Sequence, residues 1–144
     1  MRRTATAIWN GTGLEGSGTP TTPSGVLAKQ PYSTKMRFMS EDGRAGTNPE
    51  ELVAAAHAGC FAMALSFQLT GAGFTPDELK VDAVMSMAQE GVDWSISGVT
   101  LRLTAKVPNI SQEKFLELAN NAKVGCPISK ALASVPITLE ATLT

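Results

Sequence analysis

The chain has 144 residues, 12 basic against 13 acidic side chains, one histidine and two cysteines, for a formal net charge of -1. That length suits one domain with a real core, expected over residues 1–144. The near-neutral balance, without a basic run, excludes nucleic acid and an anionic membrane surface as main partners, and two cysteines are too few for a disulfide scaffold.

Arg2 and Arg3 are followed by a polar, Gly-rich stretch instead of an apolar one, so no signal peptide is read and a cytoplasmic location is expected. Residues 4–9 alternate and lean to β, giving a first strand. Gly11, Gly13, Gly16, Gly18, Pro20 and Pro23 then mark a loop or an edge ribbon. Alternation returns over residues 32–39, where Tyr32, Thr34, Met36 and Phe38 share one face. Arg37 is thus expected to project from the other face of a strand. A turn over residues 40–46 leads to the stretch that organises the chain.

That stretch, GTNPEELVAAAHAGCFAMALSFQL, spans residues 46–69. Asn48 is a favoured N-cap, Pro49 fits the first helical position, and Glu51 stands where a capping-box carboxylate reaches back. The helix that follows is apolar nearly all the way round, which marks a buried helix surrounded by sheet or by a second copy of the chain. His57, Ser66 and Gln68 interrupt it, so a soluble core helix is preferred to a membrane span. Gly71 and Gly73 are expected to end it.

A strand follows at residues 79–87, a turn at 90–93, and a longer strand at 94–107 whose phase slips at Gly98, the mark of a bulge in an antiparallel hairpin. Ser111 caps a helix with Phe115, Leu116, Leu118, Ala119 and Ala122 at helical spacing, closed by Gly125. Cys126 and Pro127 open a short helical turn over residues 128–132. Residues 136–144 form a last strand, with Ile137, Leu139, Ala141 and Leu143 inward. The order predicts an α+β fold with mainly antiparallel sheets. No nucleotide-binding glycine loop or nucleophile elbow is present, and a lone histidine with two cysteines lacks the spacing of a structural zinc site.

Chemistry then falls to few residues. Cys60, within the apolar helix, reads by default as a small core side chain. Cys126 stands at a helix N-terminus, where unpaired N–H groups favour a thiolate. Two thiols permit a redox cycle, because a sulfenic acid formed on one can be trapped by the other. A reactive Cys60 needs a cation nearby; His57, at i−3, and Arg37 are the candidates. Glu51 has a capping role, which leaves Glu50 freer for function. Ten residues of helix separate Glu50 from Cys60, about 15 Å at 1.5 Å per residue, so one helix cannot bring both to one site. A symmetric homodimer that lends Glu50 to the partner's Cys60 resolves this.

At these residues the chain resembles the OsmC (osmotically inducible protein C) branch of the OsmC/Ohr family of hydroperoxide reductases. The resemblance rests on GTNPEELVAAAHAGCFAMAL at residues 46–65, NAKVGCPISKAL at 121–132 and SGVLAKQPYSTKMRF at 24–38. It implies an intertwined homodimer with two central helices wrapped by antiparallel sheets and two active sites at the subunit interface. By motif, Cys60 would be the peroxidatic cysteine, Cys126 the resolving one, and Glu50 and Arg37 the catalytic glutamate and arginine. The Ohr branch takes its arginine from an earlier loop, and the absence of arginine between Arg3 and Arg37 favours the OsmC branch. Where Ohr-like members carry a tyrosine, this chain has His57. The implied activity is reduction of organic hydroperoxides, and hydrogen peroxide less well, in oxidative and osmotic stress defence. No cofactor or metal is implied, only an external dithiol reductant of lipoyl or thioredoxin-like type. Helix-end electrostatics alone would nominate Cys126 as the attacking thiol, whereas the resemblance nominates Cys60. The competing readings are a Cys60/His57 acyl-transfer hydrolase and a non-enzymatic, dimeric ligand-binding protein with structural cysteines.

Overall fold

The computed structural model describes residues 1–40 and 42–144, which form two compact units, residues 1–52 and 53–144. In the first unit, β1 (Thr6–Asn10), β2 (Ser17–Thr21) and β3 (Tyr32–Ser33) make an antiparallel sheet in that spatial order. The glycine-rich segment read as a loop or edge ribbon therefore supplies the middle strand. Gly18 explains why: a Cβ there would lie 2.5 Å from a Tyr32 ring carbon and 2.9 Å from one of Trp9. Those two rings lean together across the sheet with centroids 5.3 Å apart. A side chain at position 18 would separate them.

The strand expected at residues 32–39 stops at Ser33 and becomes a short helix, α1 (Thr34–Phe38). Arg37 accordingly projects from a helix. Ser33 Oγ accepts the Met36 N–H at 3.1 Å, the usual N-cap bond, and Lys35 and Arg37 fall in the last turn, where cations suit the helix dipole. Thr34 Oγ1 also donates to the Gly13 carbonyl. Alternation over eight residues was too short a signal to outweigh this cap. In the turn that follows, Glu41 lies outside the described residues, Asp42 Oδ1 accepts the Arg44 N–H at 3.0 Å, and Gly43 takes φ +66°.

The central helix, α2 (Pro49–Gly71), starts as expected, with Asn48 Oδ1 accepting the Glu51 N–H at 2.8 Å. The Glu51 carboxylate accepts from Thr47 Oγ1 at 2.9 Å, so its partner is the residue before the cap instead of the cap itself. Gly71 stays within the helix; Gly73, at φ +88°, terminates it, and Phe74 N–H returns to the Leu69 carbonyl at 2.9 Å.

The second unit carries the main core. Strands β4 (Glu78–Glu90) and β5 (Asp93–Lys106) form the expected hairpin. Ser86 pairs with Gly98 and Met87 with Ile96, which leaves Ser97 as the extra residue of a bulge at the predicted phase slip. Ser111 Oγ accepts the Lys114 N–H at 3.2 Å and opens α3 (Gln112–Gly125), and α4 (Pro127–Ala131) follows at once. These helices carry the chain back so that β6 (Ile137–Leu143) joins β5 in parallel register, Val99 opposite Ile137 and Ala105 opposite Leu143. This one parallel pairing departs from the antiparallel expectation, because a helical crossover returns the chain in the direction of β5.

Every second residue of β5 from Val99 to Ala105 is buried, against Phe61, Leu65 and Leu69 of α2 and Phe115, Leu118, Ala119 and Ala122 of α3. The i, i+4 spacing of His57, Phe61, Leu65 and Leu69 shows that only one stripe of α2 is buried in the protomer. Of the two expected coverings, the sheet accounts for this stripe, and the rest of the helix is not covered within the protomer. Met63 is 64% and Phe67 73% exposed. By length and composition alone α2 could cross a membrane, with a mean hydropathy of 1.6; its buried stripe instead fills a β-sheet core.

Candidate active site

The four residues singled out by sequence fall into two constellations, one in each unit. In the second unit, Cys60 sits midway along α2, and Cys126 is at once the C-cap of α3 and the N-cap of α4. Their sulfurs are 3.1 Å apart, within S–H···S hydrogen-bonding distance, and both are free thiols. Residues 66 positions apart in sequence thus form a close dithiol at the edge of the core. Cys126 is fully buried and Cys60 half-buried.

The environment polarises this pair. Burial pushes the Cys60 thiol above its ordinary value, and the neighbouring Cys126 sulfur adds to the shift, both as a hydrogen-bond partner and as a like charge; the Ile128 N–H opposes it. Burial also pushes Cys126 up, but there the backbone N–H groups of Ser129 and Ile128, the Cys60 thiol and the Ser129 hydroxyl outweigh it and hold Cys126 below its ordinary value. Within one protomer these surroundings favour the anion on Cys126 over Cys60, the direction the helix-end reading anticipated.

His57 does not supply the cation for Cys60. It is fully buried, with Nε2 2.8 Å from Ser129 Oγ, and burial lowers its pKa, so it stands neutral. The hydrogen-bonded core role is the one observed. Ser129, six percent exposed, escaped sequence reasoning. Its signal was present: it is three residues after Cys126 in a helix opened by Pro127, and i, i+3 positions share a helix face.

In the first unit, Arg37 grips Glu50 in a fork, Nε donating to Oε2 at 3.0 Å and Nη2 to Oε1 at 2.5 Å. The Arg37 and Glu50 side chains are 34% and 16% exposed. The guanidinium carbon also lies 4.7 Å from the centroid of the Phe38 ring. A cavity of about 80 Å³ beside this pair is lined by Trp9, Tyr32, Ser33, Thr34, Arg37 and Pro49. The aromatic and hydroxyl lining contributed by Trp9, Tyr32 and Thr34 was not foreseen, because it is assembled by the unexpected middle strand and by α1. A bidentate grip fixes both the position and the plane of the guanidinium, the requirement for presenting N–H donors to a small polar oxygen group. Among the described residues, no group of three or more His, Cys, Asp or Glu is placed to hold a metal ion.

Residues 40–140 match the family model described as OsmC-like protein. The chain is 43% identical over 134 residues to peroxiredoxin OsmC of Escherichia coli, covering 93% of this chain and 91% of that one. It is 33% identical over 126 residues to the organic hydroperoxide resistance protein OhrB of Bacillus subtilis, covering 86% and 88%. The crystal structure of that OhrB superposes with a TM-score of 0.70 at 27% identity, covering 96% of this chain and 98% of the other.

Proposed function

The chain belongs to the family of OsmC-like proteins, and from that premise we propose that it is a two-cysteine peroxidase that reduces organic hydroperoxides to alcohols, acting as one OsmC-like domain over residues 1–144. The observation that carries the reading is the 3.1 Å approach of the two free thiols. In the first step the Cys60 thiolate attacks the outer peroxide oxygen. An S–O bond forms, the O–O bond breaks, and the alkoxide leaves and takes a proton to become the alcohol. Cys60 is oxidised to a sulfenic acid. The Cys126 thiolate then attacks the Cys60 sulfur, the S–O bond breaks, and hydroxide leaves and is protonated to water. An external dithiol, lipoyl or thioredoxin-like, reduces the resulting disulfide by exchange. The electrons come from thiols throughout, so the cycle calls on no prosthetic group.

Arg37 orients the peroxide and stabilises the Cys60 thiolate, and Glu50 keeps the guanidinium aimed. Glu50 and Cys60 lie ten residues apart on α2, about 15 Å along its axis, so we assign the Arg37–Glu50 fork to the Cys60 of a partner subunit. The exposed apolar side chains of α2, Met63 and Phe67, support a homodimer in which a second copy covers them. A cytoplasmic role in oxidative and osmotic stress defence fits a thiol cycle that needs a reducing pool.

The test is a free-thiol titration of the reduced protein before and after one equivalent of cumene hydroperoxide, with non-reducing mass spectrometry. Loss of both thiols and of two hydrogens within each chain is expected. Two persistent thiols in folded protein would reject the cycle.

A further inference from the structure

The guanidinium of Arg37 is only as well placed as the helix that carries it. α1 is five residues long and buries none of them. So short a helix does not hold itself together, because nucleation costs more than its few hydrogen bonds return, and α1 must be fixed from outside. Its polar fastenings are the Ser33 cap on the Met36 N–H at 3.1 Å, the Thr34 hydroxyl on the Gly13 carbonyl, and Lys35 on Glu15 at 2.6 Å. The last joins two side chains more than half exposed and adds little. The apolar fastening is Met36, which is half-buried and lies against Gly46. A Cβ at position 46 would stand 2.7 Å from Met36 Sδ and 2.8 Å from the Pro31 carbonyl oxygen, closer than Cβ atoms come to their neighbours. Gly46 does not take a positive φ, so glycine is required there by space and not by backbone angle. The thioether could swing aside; the Pro31 carbonyl is backbone, and it also accepts the Thr47 N–H at 3.3 Å.

We infer that Gly46 and Met36 are positioning residues for Arg37: the close approach of Gly46 to Met36 and to the Pro31 carbonyl sets the spacing between α1 and the start of α2, and with it the aim of the guanidinium. This rests on the peroxidase reading, in which Arg37 orients the hydroperoxide, and adds the device that holds Arg37 in place. The fork to Glu50 does not fix the aim alone, since two joined side chains can shift together. It employs Nε and Nη2, so the donors left to face a peroxide oxygen are chiefly those of Nη1, and where they point is decided by where α1 stands. Gly46 is well sited for this, because the chain runs from it directly through Thr47 to the Asn48 cap and to Glu50, the other half of the fork. The distance to be held is small, and a misplacement of about 1 Å can cost on the order of a hundredfold in rate.

The experiment is a double-variant cycle read in kcat/KM for cumene hydroperoxide with excess dithiol, on variants whose folding is checked by circular dichroism. Gly46→Ala should lower kcat/KM on the order of tenfold, and Met36→Ala, which removes the apolar anchor, roughly three- to tenfold. Met36→Leu, close to methionine in volume, should restore most of what Met36→Ala loses. In an Arg37→Ala background, Gly46→Ala and Met36→Ala should each cost less than about twofold, since no guanidinium is left to misplace. A glycine and a methionine that serve only the fold would cost the same in both backgrounds. If folded Gly46→Ala and Met36→Ala keep the parental kcat/KM within about twofold, or lose as much in the Arg37→Ala background as in the parent, the positioning role is refuted. Failure of the peroxidase reading looks different, since the parent would then consume no hydroperoxide. Should Gly46→Ala not fold, Met36→Ala and Met36→Leu in the two backgrounds decide alone.

Discussion

Mixing one impaired and one inactive variant tests the subunit-shared site directly. Arg37 is fixed to Glu50 by two charged hydrogen bonds at 3.0 and 2.5 Å, and Glu50 lies in the first turn of α2, ten residues before Cys60. About 15 Å of helix separates Glu50 from Cys60, the spacing on which the proposed sharing between subunits rests. Arg37→Ala should lower kcat/KM for cumene hydroperoxide about a hundredfold, in the range found when a charge-stabilising donor is removed. Cys60→Ser should have no activity. Refolded together in equal amounts, they should give about half heterodimers by statistics, each with one complete site, because Arg37 from the Cys60→Ser chain meets Cys60 from the Arg37→Ala chain. Specific activity per chain should then recover to about a quarter of the parent. Mixing parent with the Arg37→Ala/Cys60→Ser double variant supplies the opposite control, since its heterodimers hold no complete shared site. The assay is hydroperoxide consumption with excess dithiol, with the dimer fraction read by ultracentrifugation. A mixture no more active than its Arg37→Ala component, under conditions where heterodimers are present, would refute the shared site.

The remaining expectations concern the thiols and the pH dependence. Cys126→Ser should oxidise once and stop at a dimedone-trappable sulfenic acid; continued turnover without accumulation would show another resolving group. Glu50→Gln should cost about 1–2 kcal/mol of transition-state stabilisation, roughly five- to thirtyfold in kcat/KM, as the fork is partly solvated; an effect within twofold would remove Glu50 from the mechanism. Alkylation of the reduced protein against pH should show two steps, one below and one above the ordinary thiol value, since Cys126 is held low and Cys60 raised. A single step with both thiols reacting together would contradict the coupling. Burial lowers the pKa of His57 from 6.5, so below that pH the unfolded chain binds a proton that the folded chain refuses. Stability should therefore fall as pH drops through 6.5, and urea midpoints for His57→Gln should lose that part of the slope.

How much was legible depended on the range of the interaction. Caps and bulges are local, and Asn48, Ser111 and the slip at Gly98 behaved as read. The helix at Thr34–Phe38 was lost because eight residues of alternation pointed to a strand, and the deciding Ser33 cap is a single bond. Pairing direction is non-local: nothing in residues 137–143 says whether they join β5 parallel or antiparallel until α3 and α4 are seen to return the chain. For the site, all four named residues fall into close partnerships, Cys60 with Cys126 and Arg37 with Glu50. The partner of His57 was hidden, since Ser129 lies 72 residues away and helix-face logic pairs it only with Cys126.

The thiol pair also bears on why an electrostatic reading of one protomer and the family assignment name different nucleophiles. The two sulfurs lie 3.1 Å apart, and in the protomer their surroundings raise the Cys60 thiol above its ordinary value and hold Cys126 below it. A short S–H···S bond lets the proton change sides with a displacement much smaller than either residue's reach, so the identity of the thiolate is set by whatever third group is added. In the proposed dimer, a guanidinium brought to Cys60 by a partner subunit would favour the anion there. Oxidation of Cys60 then removes the competition, and the donors around Cys126 act unopposed. In the proposed cycle, the surroundings that look wrong for the first step would suit the second, in which Cys126 attacks the oxidised Cys60.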